Sequence, residues 1–209
     1  MDTTQLRTTN IRPENAVLVY SLDLTKNKAA VWAMNSASLP LLILFGGLFL
    51  AYLRLVRPGM GAALLSVPAI DWLFLVGSIV LFVALIVVHE LIHGAFFWVF
   101  TRSRPVFGLR GWYAFAAAPG WFLTRGQYLV TILAPFLILS VLGMFLMAIL
   151  PVLPAAVVLI MTIFNATSSV GDLWIAFRLA GQRHPVVAED RGDGVNFYSL
   201  NRLQTEVKP

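Results

Sequence analysis

The chain has 209 residues, 59% of them hydrophobic and 12% charged, far from the roughly 45–50% apolar and about 25% charged residues of soluble domains, so an ordinary soluble globule is excluded in favour of one compact membrane domain with polar ends. With no cysteine, disulfides and thiolate metal sites are excluded, and any metal must take nitrogen and oxygen ligands. The net charge of +5 comes from basic residues flanking apolar segments, with no dense basic run interleaved with aromatics, so no nucleic-acid partner is expected.

Residues 1–35 mix charges with short apolar stretches and lack the apolar core and small-residue cleavage site of a signal peptide, so the mature protein is expected to begin at or near Met1. Within them, residues 17–24 (VLVYSLDL) read as a short strand. Four apolar segments follow, residues 39–55, 72–100, 128–150 and 153–179, each near the length of about 20 helical residues that crosses a bilayer. Lipid offers the backbone no hydrogen bonds, so these segments are expected to be helices. Between the second and third, residues 112–117 are aromatic and small, followed by a Pro119-Gly120 turn signal. They fit either a short cytoplasmic hairpin or an interfacial anchor of Trp112, Tyr113 and Trp121. Pro151 and Pro154 mark the turn between the last two segments. The predicted fold is an all-α integral membrane protein of four transmembrane helices: a tail over 1–35, a membrane domain over 36–180 and a polar tail over 181–209.

Four crossings put both tails and the 101–127 loop on one side, with 13 of the 15 Lys and Arg residues once Arg178, at the end of the fourth segment, is counted with the tail; Arg54 and Arg57 are on the other. Positive charge stays cytoplasmic, so both termini are expected inside, in a multi-pass cell-membrane protein such as one of a bacterial inner membrane.

The second segment contains VVHELIHG. His89 and His93 are four apart on one helical face, where two imidazoles reach the same metal ion, and Glu90 is the carboxylate beside them. In the H-E-x-x-H pattern the histidines bind zinc, while the glutamate stands off the metal and takes a proton from water. Such motifs also arise in soluble helices with no metal. Inside a bilayer, however, each ionisable group costs several kcal/mol, and three within five residues point to function.

A catalytic zinc takes three protein ligands. Away from the ends of the other three segments, the only ionisable residue is Asp172, in FNATSSVGDLW. His93 is nine residues before Arg102 and Asp172 six before Arg178, placing them roughly 14 Å and 9 Å inside their cytoplasmic charges at about 1.5 Å per residue. Asn165, Ser168, Ser169 and Asp172 follow the i, i+3, i+4, i+7 spacing of one helix face. Asn165 on that face either donates a hydrogen bond to a substrate carbonyl, a catalytic role, or joins helices. His184 in the polar tail is a further candidate ligand, although a solvated histidine there is the simpler reading, and Glu189, Asp190 and Asp193 read as a solvated acidic cluster, the alternative of a calcium site lacking the spacing of a recognised loop.

HELIHG in an apolar helix, APF in the third segment and NATSSVGD in the fourth together resemble a bacterial membrane family of zincin-type peptidases, over most of the chain up to about Leu179. More distantly, the layout is similar to the core of site-2 proteases, in which an H-E-x-x-H helix and an aspartate from a later helix hold zinc near the cytoplasmic side. The resemblance implies that His89, His93 and Asp172 are zinc ligands and Glu90 the base. The family's L-D-G type aspartate motif is replaced here by Gly171-Asp172-Leu173, and no PDZ-like module is present. The expected function is a zinc-dependent intramembrane peptidase acting on a membrane or membrane-adjacent protein. The alternative is a metal-binding membrane scaffold without catalysis. A transporter would require more polar residues in the first and third segments.

Overall fold

The computed structural model describes residues 8–14, 16–65, 72–110 and 113–200. After β1 (Val17–Asp23) comes α1 (Lys28–Val56), whose first turn is capped by Asn27, its Oδ1 accepting the Ala30 N–H at 2.9 Å. The short α2 (Met60–Leu65) precedes α3 (Trp72–Thr101). Then come the strands β2 (Val106–Arg110), β3 (Tyr113–Ala117) and β4 (Phe122–Thr124), followed by α4 (Arg125–Ile149), α5 (Val152–Ser168) and α6 (Val170–Ala180). The chain closes with β5 (Val186–Asp190) and β6 (Gly194–Ser199).

The expectation of an all-α fold is overturned. Among the described residues six strands form two antiparallel sheets, one of four strands in the order β1-β6-β5-β4 and one of two, β2-β3, and the fold is mixed α and β. These strands are three to seven residues long and sit outside the long apolar runs, so their signal is slight beside that of the helices. Their pairing is also non-local: β1 aligns with β6 from Val17 against Ser199 to Asp23 against Gly194. The stretch 181–209, read as a polar tail, thus contributes β5 and β6. The two strands flank the turn that contains Gly192, at φ 83°, where a glycine is needed.

A hairpin does stand in the central loop, with Trp112 outside the described residues: β2 pairs with β3 from Val106 against Ala117 to Arg110 against Tyr113, so it lies before Pro119-Gly120 and does not turn there. That pair, with Gly120 at φ 75° and Trp121 N–H donating to the Ala118 carbonyl at 3.1 Å, makes the turn from β3 into β4.

Among the described residues three helices are long and apolar enough to cross a membrane, α1, α3 and α4, and the count reaches four if the bent pair α5 and α6 is one span. On α3, Ile79, Val80, Leu81 and Val83 are exposed, an apolar surface of the kind lipid covers. The fourth apolar segment is not one straight helix; α5 and α6 meet at 43°. Ser168 and Ser169 donate their hydroxyls to the Asn165 carbonyl at 3.2 and 2.8 Å, competing with the helical ladder where it breaks. The expected polar face through Ser168 and Ser169 is therefore split by the bend.

By compactness the chain falls into two units: residues 33–89 with 135–171, and residues 1–32, 90–134 and 172–209. The first has a core of Phe49, Leu53, Met60, Met147, Ala155 and Leu159, and the Tyr52 hydroxyl donates to the Met144 carbonyl at 3.0 Å. Arg57 closes the end of α4 through the Leu150 and Met147 carbonyls, satisfying acceptors that a helix end leaves orphaned. The second unit is centred on the four-stranded sheet, where Leu123, Val187, Ala188 and Phe197 are buried and Phe197 stacks on Tyr20 at 5.0 Å.

Deleting the Phe197 ring from this sheet should cost about 3–5 kcal/mol. The Phe197→Ala protein is expected to unfold at lower denaturant and to lose its C-terminal strands to protease first; an unchanged midpoint would contradict the packing described.

Candidate metal centre

His89, Glu90 and His93 stand on the last four turns of α3, an unbroken helix, so the two imidazoles are one turn apart. Asp172 is in the first turn of α6. The break at Ser169 is what makes it a helix-start residue, where the positive end of the helix dipole favours a carboxylate. Nitrogen atoms of His89 and His93 and a carboxylate oxygen of Asp172 all lie within 4.8 Å of one another. His93 is buried, and His89, Glu90 and Asp172 are half-buried.

The second contacts of the imidazoles determine what the ring nitrogens can do. His93 Nδ1 is 2.9 Å from the Thr131 carbonyl oxygen on α4. A carbonyl only accepts, so Nδ1 holds the proton and donates it, and Nε2 of the neutral ring keeps its lone pair. His89 Nδ1 is likewise 2.9 Å from Asn165 Oδ1. Both rings are thereby set in the form a metal requires, with the outer nitrogen tied to an oxygen.

His93 Nε2 is 3.6 Å from Asp172 Oδ1, too long for a hydrogen bond. Two ligands on one tetrahedral zinc, each about 2.0–2.2 Å from it, are roughly 3.4 Å apart. The donor set of two neutral imidazoles and a carboxylate fits a divalent ion, and zinc suits it well. His184 is not in this group. Asn165, almost fully buried, offers its Oδ1 to His89, while its Nδ2 has no partner among the described residues.

Around the second imidazole the packing is close. A Cβ on Gly94, the residue after His93, would run into the Phe107 ring and come within 3.3 Å of Pro105, so glycine at this position admits β2 against α3. At the start of α4, Arg125 donates to the carbonyls of Gln182, at 2.9 Å, and Ala180, closing the end of α6. One turn on, the buried Tyr128 hydroxyl donates to Asp190 Oδ2 at 2.6 Å, and Asp190 Oδ1 accepts the Gly192 N–H at 2.8 Å.

The acidic cluster of the tail is therefore not a solvated one. Asp190 bonds Tyr128, Glu189 accepts the Tyr198 hydroxyl at 3.0 Å, and Asp193 pairs with Arg110 of the hairpin. Two participants escape a reading by residue type. Thr131 acts through its backbone carbonyl, and Asp190 sits in VVAED, where a short apolar run before a glycine-containing turn was the available signal.

Burial pushes the Asp190 carboxyl up to about 6, with Asp172 adding to the rise and Tyr128, Gly192 and His93 opposing it. A carboxyl raised in the folded state binds its proton more tightly there than when unfolded. Its contribution to stability is thus full below the ordinary carboxylate range and is lost as pH rises through about 6. Wild type should gain stability over Asp190→Asn when pH is lowered from about 7 to about 5, a window that brackets this raised value; the opposite slope in parallel unfolding titrations would refute the burial of this carboxylate.

Comparison with known families places the centre in context. The model of a family described as "Putative zincin peptidase" matches residues 81–185, just over half of the chain, and the match spans His89, Glu90, His93, Asn165 and Asp172. No curated protein and no solved structure matches the chain.

Proposed function

Because the chain belongs to that zincin peptidase family, we propose that it is a zinc-dependent peptidase hydrolysing a peptide bond in or next to a membrane segment, in the manner of site-2 proteases. The observation that carries this reading is the grouping of three ligand-type side chains: both Nδ1 atoms are tied to oxygen at 2.9 Å, and a nitrogen of each imidazole and an Asp172 carboxylate oxygen lie within 4.8 Å of one another. His89, His93 and Asp172 are assigned as ligands. When bound, zinc supplies Lewis acidity that polarises the scissile carbonyl and acidifies a water.

The chain's own residues do the rest. Glu90, next to His89 on the same helix, takes a proton on its carboxylate from the attacking water and passes it to the leaving nitrogen. Asn165 holds the His89 ring through Oδ1, and its Nδ2 is assigned as a donor to the substrate carbonyl. The family membership and three membrane-length helices support a substrate embedded in or close to the bilayer. An extended substrate suits the β2-β3 hairpin, which has strand edges to pair with. Under this reading both termini and the hairpin face the cytoplasm.

Elemental analysis of the detergent-purified protein should find about one zinc per chain, lost in His89→Ala, His93→Ala and Asp172→Ala. Glu90→Gln should keep the metal and lose about 10²- to 10⁴-fold in cleavage rate. A wild type that stays metal-free after zinc reconstitution would remove the basis of the proposal, and full cleavage by Glu90→Gln would turn it toward a metal-binding scaffold.

A further inference from the structure

The Thr131 carbonyl that holds His93 lies inside a helix, where it would ordinarily accept the N–H of the residue four positions on. That residue is Pro135, buried and within α4. Proline has no N–H, and its ring crowds the carbonyl four residues back, turning it out of the ladder. In an apolar helix the freed acceptor must find another donor, and it finds His93 Nδ1 at 2.9 Å.

We propose that Pro135 is a positioning residue of the metal centre: by withholding one backbone N–H it frees the Thr131 carbonyl to hold His93 with the proton on Nδ1 and the lone pair on Nε2. The requirement is mutual. The imidazole needs an acceptor in a place where water is scarce, and the carbonyl needs a donor. Each satisfies the other, and the ring orientation and tautomer that zinc needs follow from a proline that touches no substrate. The other helix-interior proline, Pro40 of α1, is exposed and lies among no metal-ligating residues.

This inference rests on the zinc reading, and its test separates the two. Pro135→Ala and the bulkier Pro135→Val both restore the N–H but differ in side-chain volume, so a shared effect belongs to the N–H and not to a cavity. Pro40→Ala is the control. In each protein, zinc affinity is measured by chelator competition, and the apo-state His93 tautomer by nitrogen NMR of labelled histidine. Loss of an outer hydrogen bond weakens metal binding about 10- to 100-fold.

Both Pro135 variants are expected to bind zinc at least about tenfold more weakly and to show a mixed His93 tautomer, with helix content undiminished. Pro40→Ala should behave as wild type. Wild-type affinity and a single Nδ1–H tautomer in both Pro135 variants would overturn the inference. Should either variant fail to fold, a wild-type His93 without the Nδ1–H tautomer would overturn it equally. If the tautomer shifts while wild type takes up no zinc, the role of the proline stands and the proposed function falls.

Discussion

The hydrogen bond from His93 Nδ1 to the Thr131 carbonyl is the contact on which the rest of the site depends. A histidine in an apolar helix has to place two ring nitrogens, and a proton on the wrong one leaves nothing to offer a metal. A backbone carbonyl is an unambiguous acceptor and cannot titrate. It therefore sets the ring's tautomer more firmly than a side chain would, and it ties α3 to α4 at the depth of the ligands.

The four-stranded sheet gives that carbonyl a fixed address. Strand β4 runs directly into α4 and pairs with β5, Leu123 facing Ala188. Tyr128 then bonds Asp190, and Arg125 closes the end of α6. These contacts hold the first turn of α4, and in the next turn Thr131 holds His93. The same Arg125 contacts restrain the helix that begins with Asp172. The sheet thus reaches both ligand-bearing helices without donating a ligand itself, as outer contacts of metal sites commonly do. The hairpin is tied in by Arg110 to Asp193 and by Phe107 over Gly94.

Helix placement was legible because hydropathy over twenty residues is a strong signal: the expected 72–100 and 128–150 correspond to α3 (Trp72–Thr101) and α4 (Arg125–Ile149). The strand at 17–24 was also readable, as β1 (Val17–Asp23), from its run of Val, Leu and Tyr. The sheet was not, because its other members are short and its stability comes from partners nearly the whole chain away, as Ser21 to Asn196 illustrates. The bend between α5 and α6 was hidden for a different reason. Serines in an apolar helix read as a polar face until their hydroxyls are seen turning back on the Asn165 carbonyl.

The sequence by itself determined the chemistry available: His89, Glu90 and His93 one helical turn apart, and Asp172 as the one other carboxylate in the long apolar segments. These follow from residue type and a fixed helical period, which need no knowledge of neighbours. Only the tertiary structure decided how the atoms of those residues are presented. Tautomer, ring orientation and the approach of Asp172 to His93 depend on acceptors such as the Thr131 carbonyl and Asn165 Oδ1. Those acceptors come from other helices, and a hydrogen bond across helices exists only once the chain has folded.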